Sequence, residues 1–102
     1  MTIATKEEVA EWFEIDVQQL DGAEILFAQY ECGNYEGEAF VLLRRGTQLY
    51  EVNGSHCSCY GLEGQWGEEE TSYDALMVRY NATYGFHYMD RAGIKAVLDQ
   101  VK

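Results

Sequence analysis

Apolar residues return along the first part of this chain at Val9, Trp12, Phe13, Val17 and Leu20, the three- and four-residue spacing of one helix face. Just before them, Thr5-Lys-Glu-Glu8 has the form of a capping box, a Thr hydroxyl and a Glu carboxylate each serving the other's backbone N–H. The pattern predicts a helix from about residue 6, with Ile15-Asp16 leaving its end open. After an Asp21-Gly22 turn the chain reads as strands: residues 24–31, then 38–44, then 47–53, with Cys32 to Gly37 as a loop and Arg45-Gly46 as a two-residue turn. In that register Leu42 faces Leu49 and Val41 faces Tyr50. Ala39, Val41, Leu43, Tyr50 and Val52 share one side, and Phe40, Leu42 and Leu49 the other. Both faces are apolar at the centre, so helices cover both or one face docks a partner.

Downstream, Gly67-Glu-Glu-Glu70 reads as an acidic loop and Thr71-Ser-Tyr-Asp74 as a second cap. Tyr73, Leu76, Met77 and Tyr80 mark one helical face, and Ile94, Val97, Leu98 and Val101 another, behind a capping Asp90. The fold class is therefore α+β: an N-terminal helix, a three-stranded antiparallel sheet, a long Gly-rich loop and two C-terminal helices. At 102 residues, with no Pro and no low-complexity linker, this is a single domain over residues 1–102.

Charge changes the picture most. The net charge is −11, and it is lopsided: residues 1–43 hold ten acids against Lys6 alone, residues 44–102 eight acids against six bases. Binding nucleic acid or an anionic membrane directly needs the opposite sign. A basic protein or nucleoprotein complex is the partner this balance favours, and plain solubility is the simpler alternative. The N-terminus lacks a secretory signal, no run is long and apolar enough for a membrane span, and three cysteines suit a reducing cytoplasm.

Candidate chemistry gathers between Tyr50 and Trp66, which holds His56, Cys57 and Cys59. A zinc-stabilised structure would draw on Cys32, Cys57, Cys59 and His87, but Cys-x-Cys is a poor bite for one tetrahedral ion. The simpler reading makes the cysteines small buried residues. A thiolate–imidazole pair of Cys57 or Cys59 with His87, oriented by Glu63, is not singled out by any spacing. No triad, P-loop or paired-carboxylate pattern appears, so no enzyme and no cofactor are expected. The glycines of residues 61–67 lack the Lys-Ser/Thr of a phosphate cradle, and let Leu62 and Trp66 pack inward. The same loop with nearby Tyr residues is the alternative site for a small ligand or nucleotide signal. Trp12 and Trp66 read as core.

Tyr50-Glu-Val-Asn-Gly-Ser-His-Cys-Ser-Cys-Tyr-Gly-Leu-Glu-Gly-Gln-Trp66, preceded by Glu38-Ala-Phe-Val-Leu-Leu and followed by Glu69-Glu-Thr-Ser-Tyr-Asp-Ala-Leu76, resembles a family of small uncharacterised bacteriophage proteins. The likeness spans about residues 24–80. It implies a phage or prophage origin, expression in the bacterial host cytoplasm, and no transferable site residues. Members of that family have Pro near Trp66-Gly67-Glu68, where this chain has none. Origin and charge together lead to one expectation: a phage-encoded, non-enzymatic inhibitor of a host nucleic-acid-binding defence protein, of anti-CRISPR or anti-restriction type and in part a DNA mimic. Its partner-binding residues would be Glu7, Glu8, Glu11, Glu14, Glu36, Glu38, Glu68, Glu69 and Glu70.

Overall fold

The computed structural model describes residues 5–32, 36–57, 62, 64–82 and 90–101, with backbone alone at Cys32, Glu36, His56 and Cys57. Helix α1, Lys6–Phe13, opens with the expected capping box: the Glu8 N–H donates to Thr5 Oγ1 at 3.2 Å, and the Thr5 N–H to Glu8 Oε1 at 3.3 Å. The helix stops at Phe13 in a Schellman turn, with the Ile15 N–H bonded to Ala10 O and the Glu14 N–H to Glu11 O. Glu14 holds the left-handed position of that turn, at φ 54° and ψ 46°. The apolar stripe therefore does not run unbroken to Leu20. The chain turns, and a short 3-10 helix, Val17–Leu20, capped by Asp16, delivers Leu20 to the core while Val17 stays exposed.

Four strands follow: β1 Glu24–Cys32, β2 Glu36–Arg45, β3 Gln48–Cys57 and β4 Glu69–Thr71. They form an antiparallel meander in the order β1-β2-β3-β4. The fourth strand corrects the expectation of three: Glu69 and Glu70 pair with Glu51 and Tyr50 rather than lying in a loop. Three polar residues carry no alternation from which a strand could be read. The hairpin register also differs. Arg45 pairs with Gln48, so the turn is Gly46-Thr47 with Gly46 at φ 62°, and Leu42 faces Glu51 while Val41 faces Val52. Glycine supplies the positive φ that the first loop position of such a turn requires. The displacement is two residues, which is the side-chain period of a strand, so every residue keeps the face assigned to it.

Helices cover both faces. On one, α1 and the 3-10 turn bury Val9, Ala10, Phe13 and Leu20 against Ala28, Ala39, Val41, Leu43 and Val52, with Leu62 and the half-buried Trp66 closing the layer. Trp66 packs edge-on to Phe13 at 5.1 Å, so both residues do point inward. The approach is close because Gly54 lies beneath: a Cβ there would stand 3.0 Å from Phe13 Cε1 and 3.1 Å from Leu62 Cδ2. On the other face, α2 (Tyr73–Asn81) and α3 (Arg91–Val101) lay Leu76, Ile94, Val97 and Leu98 over Phe27, Phe40, Leu42 and Leu49. Ser72, not Thr71, caps α2, its Oγ accepting from the Ala75 N–H, because Thr71 belongs to β4. Asp90 caps α3 as expected, its Oδ1 accepting from the Gly93 N–H at 3.0 Å. The result is an α/β/α stack. Among the described residues no helix is long and apolar enough to cross a membrane.

Candidate functional site

The carboxylates expected to meet a partner do not form one surface. Glu7, Glu8, Glu11 and Glu14 come first, on the outside of α1, opposite the buried Val9, Ala10 and Phe13. Glu7 and Glu11 stand one turn apart, with Glu8 on the flank and Glu14 just beyond the last turn. From Glu7 to Glu11 the helix rises about 6 Å, in unequal steps of about 1.5 and 4.5 Å, and Glu14 lies past the helix end. A single strand of duplex DNA carries one phosphate per about 3.4 Å. Glu7 and Glu8 are favoured by the helix dipole, but Glu14 sits at its negative end, so α1 folds despite this charge. Among the described residues no cation forms an ion pair with any of the four.

The other expected residues lie elsewhere. Glu38 pairs with Glu31 on one side and Ser55 on the other, on the sheet face that α2 and α3 cover and toward the end away from the Gly46-Thr47 turn. Backbone register puts Glu36 on that face too, opposite Cys57. Glu69 and Glu70 are exposed on the edge strand β4. Glu68 is engaged inside the molecule. Its carboxylate takes two hydrogen bonds from Arg45, at 2.7 and 3.0 Å, and one from the Trp66 indole at 3.2 Å. The Arg45 hydrogen bond, opposed by burial and aided by the Arg45 charge and Trp66, holds the Glu68 carboxyl below its ordinary value.

Two arginines that sequence reasoning passed over organise the polar interior. Arg45 also donates to Asp21 O and Gln19 O, each at 2.8 Å, so one guanidinium ties the 3-10 turn, the hairpin and the stretch before β4 together. Arg79 reaches from α2 onto the sheet, donating to Glu51 Oε1 at 2.7 Å and lying 5.2 Å from the Phe40 ring centre. Glu51 is only 9 % exposed. Burial alone would raise its carboxyl, but hydrogen bonds from Asn53, Thr71 and Arg79, with the Arg79 charge, outweigh that and hold it below the ordinary value. A signal for this pair was present: Glu51 alternates with Leu49, and Arg79 falls on the α2 stripe of Leu76 and Tyr80. An acid and a base, each alone on a buried face, must meet.

Of the expected zinc set, Cys32 and Cys57 fall in strands. Cys32 pairs with Gly37, which pairs with His56, whereas Cys57 pairs with Glu36. The backbones of Cys32 and Cys57 thus lie on strands two apart in the sheet, with β2 between them. Cys59, His87 and Glu63 lie outside the described residues, as does Gly61 of the expected ligand loop, whose residues 62 and 64–67 are described. Among the described residues no group of three His, Cys, Asp or Glu is placed to hold a metal.

Charge separates by layer. Residues 5–23, carrying α1 and the 3-10 turn, hold six carboxylates against Lys6, a net of −5. Residues 73–101, carrying α2 and α3, hold Asp74, Asp90 and Asp99 against Arg79, Arg91 and Lys95, a net of zero. The cations there are committed: Arg79 to Glu51, Lys95 to Asp99, and Arg91 to Tyr80 O and the Tyr80 ring. Comparison with protein-family models, with curated proteins and with solved structures finds no match.

Proposed function

We propose that this protein is a stoichiometric, non-enzymatic inhibitor that presents its α1 face to a basic groove of a nucleic-acid-binding protein, occupying the place of a nucleic-acid strand. The observation that carries the reading is the net charge of −5 over residues 5–23, with Glu7, Glu8, Glu11 and Glu14 all exposed on the outside of α1. A field of one sign on one face steers and orients encounter with a cationic surface. The mean axial density of Glu7, Glu8 and Glu11, about one charge per 3 Å, is close to that of phosphates along a single strand and about half that of a duplex. The resemblance to small phage proteins adds the setting: a bacterial host whose CRISPR or restriction machinery is the target. Glu38 and Glu69, on the opposite sheet face, and Glu68, held by Arg45, do not belong to the docking set.

The test is plating of a defence-sensitive phage on cells expressing the chain beside a CRISPR or restriction system, paired with a mobility-shift assay of target DNA by the purified defence complex. Wild type is expected to restore plating and to displace DNA less effectively as salt rises. The variant Glu7→Gln/Glu8→Gln/Glu11→Gln/Glu14→Gln keeps the capping box, since Gln serves at that position, and is expected to lose both effects while staying folded. Undiminished protection by that folded variant would remove the docking face from the proposal.

A further inference from the structure

At the hairpin end of the sheet, the face under α2 and α3 is not fully covered. Arg44, Leu49 and Thr71 form one cross-strand rung there. Helix α2 begins beyond it at Tyr73 and α3 ends beside it at Val101. Between these elements lies a cleft of about 450 Å³, whose lining includes Arg44, Thr47, Leu49, Ser72, Tyr73 and Val101. That volume falls within the range of small-ligand sites, about 300–1,000 Å³. Leu49, the Tyr73 ring and Val101 offer an apolar wall, and Thr47 and Ser72 offer hydroxyls.

None of the described lining residues is acidic, on a chain with 18 Asp and Glu among its 102 residues. Among the described residues, the one charged group in the lining is the Arg44 guanidinium. It is paired with Glu24 across β1, but both side chains are well exposed. A pair this open to solvent holds its partners weakly, and guanidinium has five N–H donors to divide. Arg44 can therefore receive a second anion without leaving the first.

We propose that this cleft binds a small organic anion, a carboxylate or phosphate on an aromatic or aliphatic body, with Arg44 taking the anionic group and Leu49, Tyr73 and Val101 the body. The site lies away from the α1 face and does not depend on the inhibitor reading. It would give a protein that repels anions over most of its surface one place to accept them.

The test is an NMR titration of the intact chain with benzoate, phenyl phosphate and the neutral benzamide. Saturable shifts of the Thr47, Leu49, Ser72 and Tyr73 amides are expected with an anionic probe at about 1 mM, the weak end of small-molecule binding. Benzoate and phenyl phosphate tell carboxylate from phosphate preference, and benzamide is expected to bind at least about tenfold more weakly. Arg44→Gln should weaken the anion by a similar factor. Glu24→Gln, which leaves the cleft intact and frees the guanidinium, should tighten it by up to about fivefold. No saturable shift at those amides with either anion, equal binding of benzamide, or an affinity unchanged by both substitutions would overturn the proposal.

Discussion

Replacing Glu14 by glycine should stabilise this protein, because Glu14 occupies the position of a Schellman turn where a side chain is a liability. Its backbone sits at φ 54° and ψ 46°, and it is the one described non-glycine residue with positive φ. That conformation costs an L-residue about 1–2 kcal/mol. Glycine relieves the strain but loses about 0.5–1 kcal/mol through the greater freedom of the unfolded chain. Removing a carboxylate from the negative end of α1 adds about 0.3–1 kcal/mol. The terms leave a net gain of about 1 kcal/mol, or about 4–8 °C in Tm for a chain of this size. Urea denaturation followed by the fluorescence of Trp12 and Trp66, which report the α1 layer, measures it directly. Glu14→Gln is the control: it removes the charge, keeps the strained backbone, and should gain only the dipole part. If Glu14→Gly were no more stable than Glu14→Ala, the left-handed strain would not exist and the reasoning would fail. On the proposed function, the same substitution should weaken inhibition while strengthening the fold.

Other outcomes follow from the same geometry. Gly54→Ala should destabilise by about 1–3 kcal/mol, since the added methyl meets Phe13 and Leu62 in a filled layer; a chevron or melting curve indistinguishable from wild type would contradict the packing. Arg79→Met should cost about 2 kcal/mol at neutral pH by leaving the Glu51 carboxylate without its cation. Because the fold holds the Glu51 carboxyl below its ordinary value, the unfolded chain takes up the proton first. The contribution of the pair is therefore complete above the ordinary Glu value of about 4.3 and fades as pH falls through the lower folded value. The stability gap between wild type and Arg79→Met should accordingly narrow on acidification; a gap that widens would have the sign wrong. Thr5→Ala removes half of the capping box and should cost about 1 kcal/mol with the loss confined to α1, visible as faster amide exchange there.

What the amino-acid order determined here was whatever repeats locally. Thr5 and Glu8 cap a helix wherever it is placed, Asp90 does the same for the last one, and strand parity sorted Val41, Leu43 and Val52 from Phe40, Leu42 and Leu49 even with the hairpin displaced by two residues. A period of two tolerates that error because it returns each side chain to the same side. Whatever depends on one element meeting another was not legible. The strand of Glu69 to Thr71 exists because β3 offers it an edge, not because its residues prefer extension. Glu68 is drawn from the acidic set because folding brings Arg45 to it across 23 residues. Cys32 and Cys57 fall on strands two apart because β2 runs between them. The surplus of acids was plain in the composition. That the acidic α1 and the charge-balanced α2 and α3 end on opposite sides was decided by the sheet, which sends α1 to one side and α2 with α3 to the other, since two apolar faces each needed a cover.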